Sequence, residues 1–217
     1  MVNISTLKSA GRVVAFTVAI MLLLGYIIPT GISALTQTVD PTQAEGSPII
    51  INGTVYGSYY LAEAFNFSIF FQPRPSAIGY NLSESGAYSY SIDNPQLLNL
   101  TKDYIHRFLQ DNPNVTISQI SDDMVSYSAS GLDPNIPVED ALLQVTRIAQ
   151  NLTIFYAAKD VSISVSAMTN NLVDLIASNE QQNFPLFGSF YVNVVQLDMS
   201  IIYNMINHGI ISQSFLD

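Results

Sequence analysis

His106 and His208 are the only histidines in 217 residues, and they limit the chemistry this chain can do. Nucleophilic catalysis needs a base held against the nucleophile. His106 follows apolar Ile105 within a helical pattern and reads as an exposed helix residue; His208 lies near the end of the chain. Neither stands in a recognisable loop motif, so a Ser–His–Asp hydrolase is poorly supported. Asp122 and Asp123 would form an acid–base pair only if they faced each other, but adjacent residues point apart on a strand or a helix. They read as a solvated pair. Asp133, Asn135, Glu139 and Asp140 offer oxygens of the kind calcium takes, yet the EF-hand pattern with its central glycine is absent. A turn at Asp133 and a helix start at Glu139 and Asp140 account for them. There is no Walker-type glycine loop for phosphate. The absence of cysteine excludes disulfides and thiolate metal sites. The expectation is a protein without catalytic residues or a metal site of its own.

Two segments are over-specified for plain loops. In Pro73-Arg74-Pro75-Ser76-Ala77 an arginine stands between two prolines with locked φ, which lowers the entropy cost of presenting its guanidinium. Ser128 to Ile136 gathers small residues, Gly131 and the turn Asp133-Pro134 immediately before a helix. Each is a rigid turn in its own right, with a buried or capping role.

The elements around these segments follow from periodicity and punctuation. Ile49–Ile51 and Thr54–Tyr56 flank Asn52-Gly53, a pair that favours the type I′ hairpin because both central residues need positive φ. Residues 57–78 are aromatic and irregular, and Tyr80–Ser91 is a polar loop. Asn94 caps and Pro95 opens a helix that Asn112-Pro113 stops, with Leu97, Leu98, Ile105, Phe108 and Leu109 as its buried stripe. A second helix begins near Pro137, with Glu139 and Asp140 favoured in its first turn by the macrodipole. Its apolar face is Leu142, Val145, Ile148 and Ala149, with Arg147 pointing elsewhere. A third helix covers Ser166–Ser178, a strand Tyr191–Leu197, and a last short helix Asp198–Asn207. The fold class expected is α+β: a small sheet and three to four helices in one domain, without internal repeats.

No Asp, Glu, Lys, Arg or His occurs between Arg12 and Asp40. As a helix, Val13–Leu35 would be about 35 Å long, enough to cross a hydrocarbon core of about 30 Å. Lys8 and Arg12 precede it, so the positive-inside bias puts residues 1–12 in the cytoplasm, a transmembrane anchor at 13–35, a linker at 36–47 and an extracytoplasmic domain at 48–217. The localisation expected is the plasma membrane, with a single pass. A cleaved signal peptide is the rival, with Gly31 and Ser33 near a cut site, but the apolar run exceeds the usual length of about 7–15 residues. From Asp40 onward there are five basic and 17 acidic residues, a formal charge of −12 that repels phosphate backbones and argues against nucleic acid. Charged residues are 11% of the chain, with Asn, Gln, Ser, Thr and Tyr supplying polarity, a balance suited to an acidic exterior. Six sequons in the part after Asp40, at Asn52, Asn66, Asn81, Asn99, Asn114 and Asn151, mark possible surface glycans.

In this order, the segments resemble the C subunit of the high-affinity potassium-transporting P-type ATPase, the KdpC family. Gly57-Ser58, Phe65, Phe70-Phe71 and Arg74-Pro75-Ser76-Ala77 are similar to the family's first signature. Ser85-Gly86 with Asp93-Asn94-Pro95 and Leu97 resembles the second. Ser128 to Asp133, then Leu143-Gln144-Val145, Arg147 and Ala149, resembles the third and most specific. Leu172–Ile176, Gly188 and Val192-Asn193-Val194 with Leu197 resemble the last. The chain departs from the pattern at Glu63, where glutamine is usual, at Thr146, where proline is usual, and at Ala87-Tyr88-Ser89, where Gly-Ser-Asn is usual. About a dozen extra residues around Leu152–Val161 are expected to lengthen the second helix.

The resemblance implies a non-pumping subunit of an ATP-driven potassium importer. Its partners would be a channel-like potassium-binding subunit, a P-type ATPase catalytic subunit, a small one-helix subunit and membrane lipid. The family is described as a catalytic chaperone that raises the ATP affinity of the catalytic subunit. ATP and potassium therefore belong to the complex, and no cofactor is assigned to this chain. Because ATP is cytoplasmic and about twelve residues lie on that side, an indirect action through docking at the outer mouth of the channel-like subunit is preferred. The interface or structural-motif residues implied are Arg74, Ser76, Ser130, Gly131, Asp133, Gln144, Arg147 and Asn193. The alternative is a free-standing, membrane-anchored cell-surface glycoprotein; a secreted hydrolase would instead leave the membrane and turn over substrate alone.

Overall fold

The structure, a computed structural model, describes residues 4–63, 67–184 and 188–212. Phe65 and the sequon at Asn66 lie outside the described residues. The chain divides into two compact units, Met1–Pro48 and Ile49–Asp217.

The first unit is helical. Helix α1 (Ile4–Leu22) passes through a π-turn (Leu23–Ile27) into α2 (Ile28–Val39). The π-turn has a local cause. Pro29 has no N–H to give to the carbonyl four residues back, and the backbone adjusts just before it, with Ile28 N–H bonding Leu23 O five residues away. The stretch Lys8–Val39 is long and apolar enough to cross a membrane, and none of its most apolar window is buried. Asp40–Ser47, expected as a linker, contains a helical turn, α3 (Pro41–Ala44): Asp40 accepts a hydrogen bond from Gln43 N–H at 3.0 Å and Pro41 occupies the first position.

The second unit is α+β with two small sheets. Strands β1 (Pro48–Ile51) and β2 (Thr54–Ser58) form the expected hairpin, with φ of 52° at Asn52 and 81° at Gly53. The other sheet has the order β3 (Asn135–Pro137), β5 (Phe190–Asn193), β4 (Gln181–Gln182), both pairings antiparallel. Ile136 opposes Val192 at its centre and both are buried. The helices are α4 (Pro95–Asp111), the short α5 (Asp122–Val125), α6 (Val138–Ala157), α7 (Val165–Ser178) and α8 (Val194–Asn207). Helix α7 packs on α6, and Ile148, Leu152, Leu172, Ile176, Ile202 and Met205 of α6, α7 and α8 belong to the same core as Phe70 and Phe71.

Several boundaries and faces differ from those the sequence suggests. The strand expected over Tyr191–Leu197 ends at Asn193, and the last helix starts at Val194, not Asp198. Asn193 caps it, its Oδ1 accepting from Gln196 N–H at 3.0 Å, and Val194 and Val195 are both buried, which a half-buried strand cannot arrange for consecutive residues. The stripe on α4 is shallow: Phe108 alone is buried, Leu97, Ile105 and Leu109 are half-buried and Leu98 is exposed. On α6, Leu142 is exposed, whereas Arg147, expected to point away from the core, is 7% exposed. The helix does continue through Leu152 to Ala157. Replacing fully buried Ile148 by alanine removes apolar atoms from the packed face of α6 and leaves a cavity. Ile148→Ala should cost about 2–5 kcal/mol and lower the urea midpoint at unchanged slope; a loss under about 1 kcal/mol would contradict this core assignment.

Candidate functional site

The candidate residues resolve into two hydrogen-bonded hubs and one helix cap. The first hub stands under residues 68–73, a stretch outside both sheets. Phe70, Phe71 and Pro73 are buried here, so their backbone groups need partners other than water. Side chains of α6, α4 and α8 provide them. Arg147 donates from Nη1 to Ser68 O (2.7 Å) and Phe70 O (2.9 Å), from Nε to Asn112 Oδ1 (3.0 Å) and from Nη2 to Gln144 Oε1 (2.8 Å). Gln144 pairs with the Gln72 backbone as a neighbouring strand would: its Oε1 accepts Gln72 N–H at 2.7 Å and its Nε2 donates to Gln72 O at 3.2 Å. From α8, Asp198 Oδ1 accepts Phe71 N–H at 2.9 Å. Tyr104 of α4 donates to Pro73 O at 2.8 Å.

The second hub joins the two over-specified loops. Arg74 Nη1 forms a 2.9 Å ion pair with Asp133 Oδ2, and its Nε donates to Ser126 O. Asp133 Oδ1 accepts from both Asn135 N–H and Asn135 Nδ2 at 3.0 Å, an Asx turn that sets the start of β3. Ser128 Oγ accepts from Gly131 and Asp133 N–H, and Ser130 Oγ from Leu132 N–H. Ser76 Oγ accepts from Ile78 and Tyr80 N–H, while Tyr80 donates its phenol to Arg74 O at 2.8 Å. The polar loop enters here too, with Gly86 N–H and Ser85 Oγ both donating to Ser130 O. Gly131 has φ of +73°, and a Cβ there would stand 2.6 Å from Ile78 Cγ1 and 2.9 Å from Gly86 O, so only glycine fits.

Asn193 links elements in a third place. Besides capping α8 it donates from Nδ2 to Tyr59 O at 2.6 Å. The eight residues thus come together as braces on loops. Arg74, Ser76, Ser130, Gly131 and Asp133 share one cluster, Gln144 and Arg147 the other.

A cleft of about 580 Å³ opens between the hubs, with Gln72, Tyr80, Tyr104, Arg107, Asp111 and Tyr127 on its walls. Burial pushes the Tyr80 phenol up to about 12 and Tyr104 well above its ordinary value, in both cases more strongly than the nearby Arg107 pulls them down. Both phenols therefore stay protonated and keep donating to the backbone carbonyls that they hold. Arg147 reaches the cleft floor, but its donors are already engaged with protein, and Gln144 is fully buried. His106 is exposed, as are Asp122 and Asp123 in the first turn of α5. Among the described residues no group of three or more His, Asp or Glu is placed to hold a metal ion.

Sequence reasoning gave no bracing role to Asp198, Asp140, Asn112, Ser128 or Gln72. Asp198 carried a signal: it lies four residues after Val194 and four before Ile202 on an otherwise apolar face. A single acid on such a face must find a buried partner.

The motif residues, and the order in which they meet, match a known family. The family model for the K+-transporting ATPase, c chain, matches residues 10–202. The chain belongs to the KdpC family. The chain is similar to the potassium-transporting ATPase KdpC subunit of Thermoplasma acidophilum, with 50% identity over 211 residues, 96% of this chain and 99% of the relative. It is 51% identical to the subunit of the same name from Thermoplasma volcanium, over 94% of this chain and 95% of the relative. For that of Caldanaerobacter subterraneus the figures are 33%, 91% and 96%.

Two predictions follow from the first hub. Arg147→Met leaves Ser68 O, Phe70 O and Asn112 without their donor, and Arg147→Lys restores the charge but not the planar fork. Both should cost at least about 3 kcal/mol in chemical denaturation, with the lysine variant little better than methionine; a full rescue by lysine would show that charge alone suffices. The second concerns pH. Burial raises Asp198 well above its ordinary value, against the pull of Phe71 N–H and Arg147, and raises Asp140 despite its hydrogen bonds from Ser121. The folded state thus holds protons that the unfolded chain releases, so this contribution is greatest in acid and is lost as pH rises through the raised values. Asp198→Asn can still accept from Phe71 N–H but cannot ionise. It should flatten the decline in urea midpoint between pH 4 and pH 8; an unchanged decline would show that Asp198 does not titrate there.

Proposed function

We propose that this KdpC-family chain is a non-pumping subunit of an ATP-driven, high-affinity potassium import complex. It assembles with and stabilises a channel-like potassium-binding subunit and a P-type ATPase catalytic subunit, together with a small one-helix subunit. The single apolar helix anchors it in the plasma membrane with residues 1–12 in the cytoplasm, and the domain from residue 48 onward stands outside. ATP and potassium act at the level of the complex.

One observation carries this reading: the family's motif residues serve to fix the shape of two loops, Ser68–Tyr80 and Ser126–Asn135. A protein whose distinctive residues rigidify a surface is suited to docking, because a preorganised surface loses less entropy on binding. The walls of the cleft between the hubs are the surface that those residues hold in place. The charge of −12 carried from Asp40 onward would also raise the local cation concentration at an outer channel mouth, within a screening length of about 8–10 Å.

Co-expression of the chain with the other subunits, followed by detergent extraction and identification of co-migrating chains, tests the reading directly. Recovery of the chain alone would favour a free-standing surface protein. Within the complex, Arg74→Ala removes a part-exposed ion pair that holds the first loop to the second. It should weaken assembly about two- to five-fold, the range expected of a pair worth roughly 0.5–1 kcal/mol, without unfolding the domain. Unchanged assembly and potassium uptake by the purified variant complex would remove Arg74 from the docking surface.

A further inference from the structure

Glu63 is a carboxyl the braces do not use. Its Oε1 is buried and has no hydrogen-bond partner among the described residues. It rests on Gly57 of β2 so closely that a Cβ at residue 57 would stand 1.6 Å from Oε1. Gly57 has no left-handed φ to explain it, so glycine is needed there to make room for the carboxyl. The residue as a whole is half-buried, which leaves a short way out to water.

The stretch that Glu63 closes ties the hairpin to the rest of the domain. After β2 the chain turns through Ser58–Leu61, with Leu61 N–H donating to Ser58 O. Tyr59 O takes the hydrogen bond from Asn193 at the α8 cap. Ala62, fully buried, donates its N–H to Leu132 O in the Ser128–Asp133 loop. The next residue, Glu63, folds back over Gly57.

We propose that Glu63 is a proton-operated latch: protonated, its carboxyl closes over Gly57 and fastens the 57–63 stretch, and ionisation drives it out to water and loosens that stretch. An ionised carboxylate with an unsatisfied buried oxygen is far costlier than a neutral acid in the same place. Burial raises the Glu63 pKa from 4.5 to about 7. Because the folded value is the higher one, the latch favours the closed form below about 4.5 and loses its hold as pH climbs through about 7. A glutamine at this position could not titrate.

Hydrogen exchange of the 57–63 backbone in the full chain, held in detergent micelles and corrected for intrinsic rates from pH 5 to pH 8.5, tests the latch. Protection should fall about tenfold between pH 6 and pH 8, the equivalent of one pKa unit after allowance for the half-exposed site. Glu63→Gln should keep its protection at the same level throughout, and Glu63→Ala should be poorly protected at every pH. In the unmodified chain, the carbon-13 signal of the Glu63 carboxyl should titrate near 7. A midpoint below 5, flat exchange in the unmodified chain, or an equal fall in Glu63→Gln would each overturn the proposal.

Discussion

A buried polypeptide stretch without a sheet partner is the constraint around which this domain is organised. Phe70 and Phe71 fill the core, and their burial draws the backbone of residues 68–73 away from water. Unpaired, those peptide groups would cost more than the aromatic burial gains from any one side chain. Three helices answer with side chains. Arg147 supplies the donors that two carbonyls need, Gln144 imitates a strand edge against Gln72, and Asp198 accepts from Phe71. Planarity makes the guanidinium the right tool, since several carbonyls at fixed angles are met by one rigid fork. The consequence is that α6 and α8 are coupled through polar contacts as well as apolar ones.

The same logic, moved to the surface, builds the Arg74 and Asp133 hub. Hydroxyls of Ser76, Ser128 and Ser130 accept loop N–H groups that no strand reaches. Segments far apart in sequence thereby share one rigid patch, with Gly131 fitted under Ile78 and Gly86. Buried acids accompany this economy of charge. Asp140 and Asp198 are held without a neighbouring cation in ion-pair contact among the described residues, and burial raises both. Such a domain gains from protons that most proteins shed, in keeping with the low fraction of charged residues.

Elements set by local signals were legible in the sequence. Asn52-Gly53, Asn94-Pro95 and the Pro137 boundary each act within a few residues, and the structure places a hairpin and two helices there. The motif residues were legible as a set, but not what they touch. Arg147 was read as pointing outward because charge on a helix usually faces water. Its burial depends on carbonyls nearly eighty positions away, which no periodicity encodes. Val194 to Leu197 read as a continuation of the strand because valines recur there, and only the cap that Asn193 makes shows that the strand ends at that residue. Asp198 reads as the start of a helix, whereas the helix starts at Val194 and the Asp198 carboxyl anchors Phe71.

The π-turn at Leu23–Ile27 has a consequence within the anchor itself. An extra residue accommodated in one turn shifts the angular phase of everything after it by about 100°. Side chains spaced evenly before and after the bulge therefore do not line up along a single flank. The half ending at Leu22 and the half starting at Ile28 turn different sides outward, so one continuous span can greet two different neighbours at two depths.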